Sequence, residues 1–335
     1  MNDFTKISTI KNIFGAQKIK KFFGQNFLIN PGVLEKIIKA AELDKNDIIV
    51  EIGPGLGTLT KALAEKAGKI IAIEKDRDMI PILKKNLALF NNVEIIEGNA
   101  LNYIPKCHNY KIVSNIPYNI TSPLLDHFIR DQYMMSQSQN QNQNQPIHAR
   151  KNDTPYKCNP KTIPSGTSKK RNFENENAKI RAKTLKDDEG VSEEDTARRS
   201  EVFAAESLHL QSKGSFLEVP SKLILMIQYE VAKKITAVPP NMNVLALHIQ
   251  TFADIQYLFK VSKGSFYPSP KVDSAVIKIT PLSKPRVDCD LKTYFDTIHR
   301  AFSQKRKQLK KSLGINDTRR PQELSIEEWS QIEPL

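Results

Sequence analysis

The chain has 335 residues, enough for one substantial core and a small second domain, and its 50 Lys+Arg against 37 Asp+Glu give a formal charge of +13. That balance points to a polyanionic partner, nucleic acid first among them. No run approaches the ~20 apolar residues of a membrane span, and Cys107, Cys158 and Cys289 stand far apart in no metal-ligand spacing, so a reducing, cytoplasmic setting with neither membrane nor metal is expected.

The opening "MNDFTKISTIKNIFGAQ" has no apolar signal core, and residues 1–17 are expected to be a flexible N-terminus. The first strong strand pattern is "DIIVEIG", followed by a helix over "LGTLTKALAEKA" with Leu59, Leu63 and Ala67 on one side. Between them stand Gly53, Gly55 and Gly57. Glycines there let the backbone approach a ligand, while the helix N-terminus offers unpaired N–H groups. No Gly-Lys-Ser/Thr follows, which disfavours a phosphate loop. A second strand, "KIIAIEKD", ends at Glu74, where an acid accepts hydrogen bonds from ribose hydroxyls. Loop and acid together indicate an adenosine-type cofactor and leave NAD and S-adenosylmethionine both open.

A helix over "MIPILKKNLALF" and a third strand, "VEIIEGNA", lead to Asn99, placed either to accept from an adenine amine or to cap a turn. The fourth strand, "YKIVSN", runs into "NIPYNIT". The side-chain carbonyl of Asn115 and the backbone carbonyl of Ile116, held outward by Pro117, could both accept from one amino group. Tyr118 adds a π face for a base drawn out of its stack. Such binding frees an amine lone pair for attack. Hydride transfer has no use for it, so the loop favours S-adenosylmethionine over NAD. A helix over "SPLLDHFIRDQ" follows, with Ser122 as its expected cap and Pro123 in its first turn.

From about residue 136 to 215, beginning "SQSQNQNQNQ", the chain is polar and without apolar periodicity. It is predicted to be a disordered insertion with one helical patch, "EVFAAESLHLQ". Strand "KLILMIQ", helix "EVAKKITA" and an antiparallel pair, "IQYLFKV" with "SAVIKIT", close an α/β domain spanning 18–283. Residues 284–335 are expected to form a small, basic, all-α domain. In it, "HRAFSQKRKQLKKSLG" on a helix would set Arg300, Lys305, Arg306, Lys307, Lys310 and Lys311 in a stripe meeting phosphates, with Phe302, Leu309 and Leu313 inward. Lys18, Lys20 and Lys21 would extend it.

Taken in order, "KKFFGQNFLIN", "EIGPGLGTLT", "AIEKD", "NIPYNITSPLL", "FYPSPKVDSAVIKITP" and "RAFSQKRKQLKKSL" resemble the ribosomal RNA adenine dimethyltransferase family over roughly 18–133 and 217–332. The resemblance implies a Rossmann-like S-adenosylmethionine-dependent methyltransferase sheet with a small all-α C-terminal domain. It implies dimethylation of N6 of two adjacent adenosines in the 3′-terminal hairpin loop of small-subunit rRNA, within an immature ribosomal subunit, by a monomer. Gln25, Asn26 and Leu28 would then lie against the cofactor with Gly53, Gly55, Glu74, Asn99 and Asn115. Phe266 would join Tyr118 in holding the target base, and the basic C-terminal helix would meet RNA. The chain departs from the family pattern at Ile116, usually leucine, at Asn99, usually aspartate, in "PPNMNVLALHIQTF", and in the long insertion. Two alternatives remain: a large-subunit rRNA adenine N6-methyltransferase of the antibiotic-resistance type, and a ribosome-assembly factor whose catalysis Asn99 has weakened.

Overall fold

The computed structural model describes residues 6–14, 26–105, 107, 109–131 and 219–332. The chain enters through helix α1 (Ile7–Phe14) and a two-residue strand β1 (Phe27–Leu28), then helix α2 (Pro31–Ala41), whose N-terminus is closed by the Asn30 side chain accepting from Val33 N at 3.2 Å. Five strands follow in one parallel set: β2 (Ile48–Ile52), β3 (Lys69–Glu74), β4 (Val93–Glu97), β5 (Tyr110–Asn115) and β6 (Lys222–Gln228). With β7 (Ala253–Val261) and β9 (Ser274–Pro281) they make a seven-stranded sheet ordered β4-β3-β2-β5-β6-β9-β7, β9 antiparallel to both neighbours. Strand β8 (Phe266–Tyr267) pairs separately with β1.

Parallel strands covered on both faces carry apolar residues at nearly every position. Here α2 and α3 (Thr58–Ala64) share a core with Ile49, Ile70, Val113 and Ile224. The alternate residues Val50, Ile71, Ile112 and Leu225 pack instead with α5 (Thr121–Leu125), α6 (Tyr229–Ile235) and α7 (Val244–Gln250). A third core joins α7 to the C-terminal helices α8 (Leu291–Phe302), α9 (Leu309–Ser312) and α10 (Ile326–Ser330) around Tyr294, Ile298 and Trp329. Between β3 and β4 lies α4 (Met79–Asn86).

The strand order reverses between β2 and β5, and ligands of open α/β sheets bind beyond the carboxyl ends of the strands at such a point. The β2–β5 ladder stops at Val50 opposite Ile112. Past it, the Ser114 hydroxyl takes over, accepting from Ile52 N at 3.2 Å and donating to Ile52 O at 2.6 Å. The two strands therefore part at their carboxyl ends with their buried backbone groups still satisfied.

Three expectations need correction. Residues 7–14 are helical, because Ile10 is wholly buried against Phe27, Leu56 and Met79. Ser122 does not cap its helix. The NIPY loop enters α5 through a 3₁₀ turn (Tyr118–Ile120), so no extended residue precedes Ser122, and α5 starts at Thr121 and continues as a π-helix over Asp126–Asp131. The basic C-terminal segment is not one helix. Between Phe302 and Leu309 it has no apolar residue to bury, and "SQKRKQ" forms turns linking α8 to α9. Phe302, Leu309 and Leu313 do face the third core. The predicted insertion with its helical patch, Gln25, and Lys18, Lys20 and Lys21 lie outside the described residues.

Candidate active site

The glycine loop is shaped from both sides. Gly53 (φ 66°) and Gly55 (φ 57°) are left-handed, the conformation that disfavours any side chain. A Cβ on Gly53 would lie 3.3 Å from Pro117 Cγ, and one on Gly55 3.1 Å from Phe27 Cε1. The loop after β2 is thus seated between the loop after β5 and strand β1. The loops after β2 and β5, far apart in the chain, are in direct contact.

Glu74 ends β3 beside this loop and is 7 % exposed. Its Oε2 accepts from Gly55 N at 3.2 Å and its Oε1 from Asp76 N at 2.9 Å. Burial pushes its carboxyl up, while these two N–H groups pull it down. Each oxygen has a second lone pair to offer a hydroxyl. Asn99 stands at the end of β4 and caps a 3₁₀ turn, its Oδ1 accepting from Leu101 N at 3.2 Å. Of its two sequence-derived roles the structure displays the cap, at the same edge of the sheet as Glu74. Leu28, in β1, is buried opposite Phe266.

Glu51, which sequence reasoning did not single out, lies in β2 below the glycine loop, 2 % exposed, with Oε2 lacking any hydrogen-bond partner among the described residues. Burial pushes its carboxyl up to about 8. The signal was one charged residue inside an otherwise apolar strand, "IIVEI". The Glu74 acid and a backbone stripped of Cβ atoms together fit an adenosine-bearing cofactor.

At the end of β5, Asn115 Nδ2 donates to the Asn26 carbonyl at 3.3 Å. The amide is thereby oriented with Oδ1 left as an acceptor. Ile116 N donates to Met226 O at 3.1 Å, its side chain is buried, and Pro117 (φ −55°, ψ 129°) turns the chain outward. Tyr118 is half-buried, its hydroxyl 2.6 Å from Ser274 Oγ, and burial raises its pKa. Phe266, expected as the second stacking ring, is instead 3 % exposed within the core of Leu28, Ile37 and Val276. Pairing of β8 with β1 draws it inward.

Arg300, Lys305, Arg306, Lys307, Lys310 and Lys311 are all exposed, and among the described residues none joins a salt bridge. Instead of a helical stripe, three of them crown the turn between α8 and α9.

The open sheet, with the glycine loop, the Glu74 acid and the Asn115–Tyr118 loop gathered at its switch point, has a Rossmann-like fold. The model of the family "Ribosomal RNA adenine dimethylase" matches residues 16–147 and 205–333. The chain belongs to that family and is an rRNA adenine methyltransferase. It is 31% identical over 340 residues to "Ribosomal RNA small subunit methyltransferase A" of Clostridium botulinum (strain Okra / Type B1), covering 94% of this chain and 93% of the relative. The protein of the same name from Marinobacter nauticus is 29% identical over 339 residues, with 96% and 92% covered. Two solved structures share the fold: a dimethyladenosine transferase from Plasmodium falciparum (TM-score 0.54, 24% identity, 87% of this chain and 75% of that one) and the 23S rRNA methyltransferase ErmE (TM-score 0.55, 18% identity, 91% and 96%).

Proposed function

We propose that this protein uses S-adenosylmethionine to dimethylate N6 of two adjacent adenosines in the 3′-terminal hairpin loop of small-subunit rRNA, acting as a monomer, without a metal, on an immature ribosomal subunit during ribosome biogenesis. The observation that carries the reading is the seating of the Asn115–Tyr118 loop on Gly53, with the Asn115 amide turned by Asn26 so that its oxygen is the free end. The names of the curated relatives support the small-subunit target.

Glu74, the Gly53–Gly55 backbone, Asn26, Leu28 and Asn99 would hold the cofactor's adenosine side. Bound there, the cofactor supplies a methyl group on a positively charged sulfur. Asn115 Oδ1 and the Ile116 carbonyl accept the two N–H bonds of the target amine, which turns the nitrogen lone pair out of conjugation with the ring. Tyr118, fixed through Ser274, holds the base by stacking, worth ~1–3 kcal/mol. Positioning is the main source of acceleration. The proton leaves only after the nitrogen has become cationic, so no strong base is needed.

The test is transfer of labelled methyl groups to immature small subunits, with large subunits and Asn115→Ala alongside, followed by mapping of the modified bases. The expected product is N6,N6-dimethyladenosine at two adjacent small-subunit positions, absent with the variant. Label on large subunits would favour the resistance-type enzyme, and RNA binding without transfer the assembly factor.

A further inference from the structure

Beside the amine loop, on the same carboxyl edge of the sheet, lies an open cleft of about 330 Å³ that the mechanism does not use. Its walls come from around the ends of three strands: Tyr229 and Glu230 after β6, Lys260 at the end of β7 and Lys263 just beyond it, and Lys271, Val272 and Asp273 before β9. It adjoins the target site through two consecutive residues, since Asp273 lines the cleft and Ser274 holds the Tyr118 hydroxyl.

Tyr229 organises the cations around it. The ammonium groups of Lys233 and Lys260 are each 4.9 Å from its ring centroid, and the ring meets Tyr257 edge-on at 6.4 Å. Lys233 pairs with Glu230 and Lys260 with Asp273, at 3.0 and 2.8 Å. Lys263 and Lys271, both exposed, form no salt bridge among the described residues, which leaves the cleft with a positive surplus. Tyr257 and Val272, two of the few large apolar side chains that stand exposed, flank it at 40% and 41%. Unpaired lysines beside exposed apolar surface suit a single strand of nucleic acid, whose backbone needs cations and whose bases need flat apolar contacts.

We propose that this cleft holds the RNA strand flanking the target adenosine, with phosphates on Lys263 and Lys271 and a neighbouring base against Tyr257 and Val272. Tyr229 is a positioning residue that keeps Lys233 and Lys260 in place. The inference rests on methyl transfer to an RNA base at Asn115, and it names where the chain leading to that base runs.

The test uses the full-length protein and a fluorescent single-stranded RNA carrying the two adjacent adenosines, with affinity measured against salt. The double variant Lys263→Glu/Lys271→Glu should bind at least about tenfold more weakly, with the salt slope reduced by about 0.7 for each phosphate no longer neutralised. Lys263→Arg/Lys271→Arg should retain affinity, and Tyr257→Ala should weaken binding without changing the slope. S-adenosylmethionine affinity and Tm should match wild type in all three. In the transfer assay the Glu variant should raise KM for RNA and leave kcat nearly unchanged. Unchanged RNA affinity and slope in that variant would overturn the proposal. Because binding is read without catalysis, a wild-type protein that binds RNA but transfers no methyl group counts against the proposed function and not against this cleft.

Discussion

Asn115 illustrates how much one side chain depends on a neighbour remote in sequence. The letters NIPY suggested an amide presented to an amine, but not that the Asn26 carbonyl would fix which end of the amide faces outward. Asn115→Ala removes one of the two proposed acceptors and is expected to lower kcat by at least about 10²-fold, measured under saturating RNA and cofactor. Glu51 gives a prediction in pH. Its folded carboxyl titrates near 8 against an ordinary 4.5. Below the lower value both states are protonated, and between the two the unfolded chain releases its proton while the folded protein keeps it. Stability from this group therefore declines as pH rises across that window, at a limit of about 1.4 kcal/mol per unit. Glu51→Gln should flatten the fall of Tm between these pH values in cofactor-free protein and raise Tm most at the upper end. A Tm that falls equally steeply in the variant would show that the Glu51 carboxyl is not what titrates.

At the scale of elements, the alternation of apolar strands and amphipathic helices was legible because covered parallel strands have almost no polar positions, as in "KIIAIE" and "KLILMIQ". The less legible features depend on contacts between distant segments. Ser114 read as an unremarkable strand residue, yet it bridges β2 and β5 where they separate. Ser114→Ala should strand two buried backbone groups and cost ~1–3 kcal/mol in denaturant unfolding. The family resemblance implied that Phe266 would stack on the base, and only its pairing opposite Leu28 shows it turned into the core. Helix α1 has apolar residues at helical spacing, Ile7, Ile10, Ile13 and Phe14, but its eight residues are too few to hold a helix without the contacts of Ile10 with Phe27, Leu56 and Met79.

The whole molecule combines a neutral, closely packed sheet with a surface surplus of positive charge, +13 over the full chain. Composition predicted the polyanionic partner but not where the charge collects. Two places stand out: the turn between α8 and α9 and the cleft beside the amine loop. Reversing Lys305, Arg306 and Lys307 to glutamate should weaken RNA binding across sequences and lower the salt slope by about 0.7–0.9 for every phosphate the turn ceases to neutralise. Tm should stay within about 0.5 kcal/mol equivalent, since the three residues are surface positions outside any core. Disappearance of the folding transition, with the slope unchanged, would mean that this turn supports the C-terminal core.

In the proposed reaction the orientation of the Asn115 amide would also set which bases are read. A pocket that presents only acceptors rewards N–H bonds and repels a carbonyl, so inosine at the target position should bind poorly as well as escape modification. The same arithmetic runs through the proposed reaction. The unmodified amine offers two N–H bonds, the monomethylated amine one and the dimethylated amine none. Each turnover of the proposed reaction would thus loosen the site's hold on its own product, until stacking on Tyr118 is the contact left.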